Sequence, residues 1–171
     1  MTDMETEGIR AGLPGDFAAI GAIWQEAFGG AGEALAYLRE HYTPAGAIVA
    51  EERGAVVGAA YLVFGARLLE PGGLIRACPY LYAVAVDKRY RGRGWGKALV
   101  RFAVRQAFRL GFGCVATCPA SEELLGYYKD LGFTEEISLK ERMFLPARWS
   151  ESVRTLERGL LYPQAGRGWA G

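Results

Sequence analysis

The sequence predicts a mixed α/β sheet with helices on both faces, and three observations carry that prediction. Two β-rich runs, Ala47 to Glu51 and Val56 to Phe64, flank Arg53-Gly54 and read as a hairpin. Tyr80 to Val86 is nearly continuous in apolar residues, the pattern of a central strand buried on both faces. A glycine-rich turn follows it and opens a long helix, after which strand and helix patterns alternate.

Taken in order, Gly8 to Leu13 is a short mixed run suited to an edge strand. Pro14-Gly15-Asp16 is turn chemistry, with Asp16 placed to cap a helix. Ile20, Ile23, Trp24, Ala27 and Phe28 then recur at helical spacing, and Gly29-Gly30 ends the helix. Ala34 to Tyr42 reads as a second short helix, stopped before Pro44. The hairpin comes next, then a loop at Pro71-Gly72-Gly73, then the strand Tyr80 to Val86. The long helix is expected from about Trp95 to Leu110, closed by Gly111 and Gly113. Cys114 to Cys118 is a strand ended by Pro119, and Ser121 to Asp130 a helix capped by Ser121 and stopped by Gly132. Thr134 to Leu145 contains a last strand. Beyond Trp149, Val153, Leu156 and Leu160 have helical spacing, while Pro163 and Ala165-Gly166-Arg167-Gly168 have the composition of a disordered end. Trp149, Leu156, Leu160 and Leu161 need burial, on the chain's own sheet or in a homodimer.

With 171 residues the chain can bury roughly 68–70% of its unfolded surface, so a core needs no disulfide or metal. Its formal charge of +1 is no nucleic-acid binder's basic excess. No run approaches the ~18 apolar residues of a membrane helix, and Met1 to Glu7 is acidic without a signal core. A cytoplasmic protein is expected, with neither nucleic acid nor membrane as partner. Three cysteines, an odd number, argue against a disulfide framework and read as buried thiols. Cys114 and Cys118 share a strand face, and with His41 remote they lack zinc spacing, so no metal is expected. His41 reads as a surface histidine at a helix end.

The chemistry concentrates in Val84-Ala85-Val86-Asp87-Lys88-Arg89-Tyr90-Arg91-Gly92-Arg93-Gly94-Trp95-Gly96-Lys97. Glycines let several N–H groups converge on one point. The helix start adds about half a positive charge, so phosphate or diphosphate suits the loop. From Lys88 to Arg109 there are eight basic residues and no acidic one. Lys97, Arg101, Arg105 and Arg109 share a helix flank, which for the distal pair is an ordinary solvated face. A P-loop needs four residues before Gly-Lys, but only three separate Gly92 from Gly96-Lys97, and Ala98 replaces the hydroxyl residue. A dinucleotide fingerprint needs Gly-x-Gly-x-x-Gly, and the spacing here is Gly92-x-Gly94-x-Gly96.

What remains, Arg91-x-x-Gly94-x-Gly96, resembles the pyrophosphate loop of the GNAT superfamily of acyl-CoA N-acyltransferases. Val84-Ala85-Val86 resembles the strand before that loop, and Tyr127-Tyr128-Lys129-Asp130-Leu131-Gly132-Phe133 the family's later tyrosine signature. The resemblance spans roughly Gly8 to Leu145. It implies a mostly antiparallel, splayed central sheet in a domain of residues 1–148, with residues 149–171 a helical or flexible tail. The splay would fall where the strands Tyr80 to Val86 and Cys114 to Cys118 part. It implies acetyl-CoA or a related acyl-CoA, its pantetheine paired with Val84, Ala85 and Val86. Its diphosphate would lie on Arg91, Gly92, Arg93, Gly94, Trp95, Gly96 and Lys97, with Ser121 and Tyr128 completing the cofactor contacts.

The implied reaction is acetyl transfer to a primary amine of a small molecule or peptide. Tyr128 would serve the departing thiolate, because a phenol near pKa 10 is close to a thiol. The Val84 amide would stabilise the oxyanion. Where some members carry a glutamate this chain has Tyr80, and Ser121 stands where many have asparagine seven residues before the tyrosine. The proton acceptor stays open among a water chain, Tyr80, Glu51 and Glu70. The family layout puts the acceptor pocket at Phe28 to Tyr42 and Phe64 to Tyr80, with Phe28, Tyr37, Tyr42, Phe64, Tyr80 and Tyr82 as aromatic walls. The few acids there disfavour a polycation. The alternative is a non-catalytic acyl-CoA-binding module of the same fold.

Overall fold

The structure, a computed structural model, describes residues 8–28, 39–40, 42–146 and 158–163. The helix expected over Ala34 to Tyr42 lies almost wholly outside these residues, as do Tyr37, His41, Trp149, Val153, Leu156 and Ala165-Gly166-Arg167-Gly168.

Strand β1 (Ile9–Ala11) pairs antiparallel with β2 (Ala47–Glu52), with Ile9 opposite Ala50, as an edge strand. Between them, α1 (Phe17–Phe28) buries Ile20, Ile23 and Trp24 at helical spacing. Asp16 does not cap α1. Its carboxylate turns back to accept the Leu13 N–H at 2.7 Å and to take the Arg10 guanidinium at 2.8 and 3.0 Å. That closes the short helical turn Pro14–Asp16 ahead of α1. The predicted hairpin is present as β2 and β3 (Ala55–Val63), joined by Arg53 at φ 52° and Gly54 at φ 83°. Two residues at positive φ match the twist of the flanking strands.

The loop at Pro71-Gly72-Gly73 is itself a hairpin turn, between β4 (Arg67–Leu69) and β5 (Ile75–Ala77). Then come β6 (Tyr80–Val86), α2 (Trp95–Arg109), β7 (Val115–Thr117) and α3 (Glu122–Leu131). Ser121 caps α3 by accepting the Leu124 N–H at 3.2 Å, and Gly132 closes it at φ 116°. Thr134 to Leu145 holds three short elements, β8 (Glu135–Ser138), α4 (Leu139–Arg142) and β9 (Met143–Phe144). The spacing through Leu160 suggested a helix, yet Arg158–Tyr162 form strand β10.

The chain divides into two compact units, Met1–Leu62 with Ala83–Ala103, and Val63–Tyr82 with Val104–Gly171. In the first the strand order is β1-β2-β3-β6. Helix α2 lies close over β3 because position 58 is glycine: a Cβ there would come within 3.1 Å of Leu99 Cδ1 and 3.2 Å of the Ala85 carbonyl. In the second the order is β6-β7-β10-β8, with β5-β4-β9 as a separate sheet. Leu160 and Leu161 are buried there, in a strand paired with both β7 and β8, so this chain's own sheet covers them. The β6–β7 pair is parallel, whereas β1–β2, β2–β3, β7–β10, β8–β10, β4–β5 and β4–β9 pair antiparallel, a mixed and mostly antiparallel arrangement. Among the described residues no helix is long and apolar enough to cross a membrane.

Candidate active site

In the first unit, Asp87 turns the chain out of β6. Its N–H donates to the Val57 carbonyl at 2.8 Å, and its carboxylate accepts the Arg89 N–H at 2.9 Å. The Arg89 guanidinium bonds the same carboxylate at 3.1 and 2.9 Å, and that pairing holds the Asp87 pKa down to about 2. Gly92 and Gly94 follow at φ 79° and 90°, where an L side chain is strained, with open space where a Cβ would stand. The Gly94 carbonyl accepts the Ala98 N–H at 3.1 Å, so the helix begins there. The amides of Trp95, Gly96 and Lys97 therefore lie in the first turn, where an α-helix supplies no intrahelical acceptor. The Trp95 indole covers Gly8, where a Cβ would approach it to 2.8 Å, and so pins the helix start to β1.

The arginines are more committed than the sequence suggests. Arg91 Nε donates to the Val86 carbonyl at 2.9 Å and Nη2 to Glu26 at 3.2 Å. Arg93 lies 3.5 Å from Glu52, with its guanidinium 5.2 Å from the Tyr90 ring centre. Asp87, Glu26 and Glu52 thus offset three of the five cations between Lys88 and Lys97. What the loop presents to solvent is chiefly oriented amides, with a modest net charge behind them.

Strand β6 is not buried on both faces as its apolar run suggested. Leu81, Ala83 and Ala85 are buried, whereas Tyr82, Val84 and Val86 are half-exposed. Strand β7 pairs with β6 at Tyr80↔Ala116 and Leu81↔Thr117 and ends there, while β6 runs on to Val86. The buried Thr117 hydroxyl donates to the Leu81 carbonyl at 3.0 Å and closes the last rung.

In the second unit, Tyr128 is half-buried on α3, its ring edge-on to Tyr127 at 5.3 Å and Phe133 at 5.5 Å. Burial first, then Tyr127, pushes its hydroxyl above the ordinary phenol range. Tyr80 is buried, 6.4 Å ring to ring from Tyr82. Burial, then Cys118, Tyr82 and Tyr128, push its hydroxyl up as well. Tyr80, Tyr82, Tyr128 and Cys118 therefore gather in one place. A phenol this reluctant to ionise is a poor proton acceptor. Glu70 is 2.9 Å from Arg76 in this unit, and Glu51 in the first unit 3.4 Å from Arg10.

The Ser121 hydroxyl is engaged as the α3 cap. Phe64 stacks on Phe112 at 5.6 Å, and Phe28, half-exposed at 50%, meets Trp24 at 6.4 Å. The Tyr42 hydroxyl donates to the Leu13 carbonyl at 2.8 Å and its pKa is pushed up to about 12, chiefly by burial, which makes it a packing residue. Sequence reasoning missed Cys118 in the tyrosine cluster. Its thiol donates to the Arg158 carbonyl at 3.3 Å, on a strand that the sequence did not reveal.

The family model described as "Acetyltransferase (GNAT) family" matches residues 17–133. No sequence among curated proteins matches. Among solved structures, a Corynebacterium glutamicum protein described as histone acetyltransferase HPA2 and related acetyltransferase is similar at TM-score 0.63 and 19% identity, over 92% of this chain and 96% of that one. N-acetylglutamate synthase from Neisseria gonorrhoeae, complexed with coenzyme A and N-acetyl-glutamate, is similar at TM-score 0.62 and 21% identity, over 91% of this chain and 34% of that one. A Brucella melitensis GNAT family acetyltransferase in complex with acetyl-CoA is similar at TM-score 0.58 and 25% identity, over 80% of this chain and 86% of that one.

Proposed function

The chain belongs to the GNAT acetyltransferase family, and on that premise we propose that it moves the acetyl group of acetyl-CoA to a primary amine of a small molecule or peptide. The amine attacks the thioester directly. The observation that carries the reading is the pair of positive-φ glycines, Gly92 and Gly94, immediately ahead of the first turn of α2.

The diphosphate rests on amides of Arg91 to Lys97, with Arg91 holding the loop to the end of β6 and Lys97 adding charge. The pantetheine pairs with backbone of Val84, Ala85 and Val86 along the half-exposed face of β6, as an added strand would. The amine's lone pair forms the new C–N bond, the carbonyl oxygen gathers charge against the Val84 amide, and the C–S bond breaks. Tyr128 meets the leaving thiolate. Its raised pKa makes complete proton transfer to an alkyl thiolate of pKa about 8.5 uphill, so a hydrogen bond is the service it supplies best. The ammonium proton leaves through water, since the buried Tyr80 keeps its own proton. Within the second unit, Tyr82 offers aromatic surface to a partly apolar amine.

The test incubates acetyl-CoA and the protein with an amine panel and measures released thiol, beside calorimetry with acetyl-CoA. Amine-dependent thiol release is the expected result. Binding without release across the panel would establish the non-catalytic acyl-CoA-binding module instead, and absence of any binding heat would end both readings.

A further inference from the structure

We propose that Tyr162, at the end of β10, is a positioning residue that holds Tyr128 for acetyl transfer, acting through Phe133 and Gly132. The inference rests on the reading in which Tyr128 meets the leaving thiolate.

Tyr128 opens the last turn of α3. The final carbonyls of a helix have no intrahelical partner, and helix ends fray unless something outside holds them. Two restraints act here. The first is the main chain: the Phe133 N–H donates to the Tyr128 carbonyl at 3.0 Å and the Gly132 N–H to the Lys129 carbonyl at 3.1 Å, with Gly132 at φ 116°. The second is the Phe133 ring, fully buried and edge-on to Tyr128 at 5.5 Å and 84°. Tyr162 bears on both. Its ring is edge-on to Phe133 at 5.3 Å and 89°. It also lies so close to Gly132 that a Cβ there would come within 2.5 Å of Cε2 and 2.9 Å of Cζ. Tyr162 is itself edge-on to Phe108 of α2, at 5.5 Å and 65°. Phe108, Tyr162, Phe133 and Tyr128 thus form an unbroken run of rings within the second unit.

Edge-on aromatic pairs have a preferred geometry as well as an attraction, so each ring limits the orientations of the next. A reacting group held by packed neighbours stays near its productive position, and a misplacement of about 1 Å can cost about 100-fold in rate. Strand β10 is itself firmly held, with Leu160 and Leu161 buried and β7 and β8 paired on either side. Its first residue also reaches the tyrosine cluster, since the Arg158 carbonyl accepts the Cys118 thiol at 3.3 Å. A leucine at position 162 would keep an apolar side chain but neither edge-on contact. Phe133 and the Gly132 cap would gain freedom, and Tyr128 with them. The glycine loop, Arg91 to Lys97, lies in the first unit and contributes none of these contacts, so cofactor affinity is expected to stay put.

Turnover is followed as thiol released from acetyl-CoA with the panel amine that the wild type uses fastest, and acetyl-CoA Kd by calorimetry. The variants are Tyr162→Phe, Tyr162→Leu, Tyr128→Phe and the double variant Tyr128→Phe/Tyr162→Leu. The expected result is a kcat about 10-fold lower in Tyr162→Leu, with Kd within twofold of wild type and Tyr162→Phe close to wild type. Adding Tyr162→Leu to Tyr128→Phe is expected to cost nothing further, because the two residues act as one unit. A merely structural role would lower both backgrounds alike. Unchanged kcat in Tyr162→Leu, an equal loss in both backgrounds, or a Tyr162→Phe as impaired as Tyr162→Leu would overturn the positioning role and leave the Tyr128 reading intact. Full turnover in Tyr128→Phe, or no thiol release by the wild type, would sink the transfer reading and this inference with it. In the wild type, nuclear Overhauser contacts are expected from the Tyr162 ring to Phe133 and from Phe133 to Tyr128. Their absence overturns the inference even if Tyr162→Leu fails to fold.

Discussion

Replacing Gly94 by alanine tests the anion loop without touching a charge. Gly94 sits at φ 90° with nothing within 4 Å of a would-be Cβ, so the substitution adds no clash and costs only backbone strain. An L-residue held in that region pays about 1–2 kcal/mol. Strain persists only where surroundings enforce it, and nothing presses on this position or on Gly92 beside it. The free loop will therefore relax toward negative φ, and acetyl-CoA must pay to restore it. At about 1.4 kcal/mol per decade, that payment raises Kd by roughly 5- to 30-fold. The part of the strain that stays in the free protein lowers Tm by less than about 4 °C at 2–4 °C per kcal/mol. Gly72→Ala is the control: φ is 101° and its Cβ space is equally open, but it lies in the β4–β5 turn. Calorimetry and thermal melts on both variants are the assay. A Gly94→Ala protein that binds acetyl-CoA within twofold of wild type would refute the amide-cradle argument, as would an equal loss of affinity in Gly72→Ala.

Tyr128→Phe is expected to lower kcat about 100-fold with acetyl-CoA Kd unchanged; full turnover in a thiol-release assay would remove Tyr128 from the chemistry. Gly132→Ala places a Cβ 2.5 Å from Tyr162 Cε2 at φ 116°. Overpacking at roughly 1–3 kcal/mol, added to the strain, should cost at least about 2 kcal/mol in denaturant titration. The Asp16 carboxyl is held below its ordinary pKa, first by its Arg10 hydrogen bonds. A depressed folded pKa contributes stability that is full above the unfolded value near 3.9 and is lost as pH falls through the folded value. The stability gap between wild type and Asp16→Asn should therefore be constant from pH 7 to 5 and shrink below about pH 4. A gap that does not change across that range would place the stabilisation elsewhere.

What was legible in the sequence was what carries its own period. Helices α1 and α2 bury residues at three- and four-residue spacing, while α3, which buries Leu125 alone, is marked by Ser121 and Gly132 at its ends. The β2–β3 hairpin announced itself through Arg53-Gly54. Strands β4, β5 and β9 did not, since three or two residues hold too little pattern to establish an alternation. Strand β10 was misleading for another reason. Leu160 and Leu161 are both apolar because β7 and β8 flank the strand, and Gly159 is required because a Cβ would come within 2.5 Å of Leu139. None of those neighbours is close to β10 in sequence, so the local pattern could not distinguish a short buried strand from a helix.

The same locality limits any reading of charge. Between Lys88 and Arg109 the sequence has eight cations and no anion, which alone suggests a strongly positive groove. Folding brings Glu26 from α1 to Arg91 and Glu52 from β2 to Arg93, while Asp87 takes Arg89. Exposed pairs of this kind contribute little stability each, commonly 0–1 kcal/mol. Their larger effect is on position, because Arg91 spends its Nε on the carbonyl that ends β6 and its Nη2 on α1. An arginine held that way cannot swing freely onto a phosphate, but it fixes the carbonyl just upstream of the glycines. On the proposed reading, the loop's grip on a diphosphate comes from where the peptide planes point, and that is set by two glycine φ angles and an indole seated on Gly8. On that reading the arginines shape the cradle and the main chain does the holding.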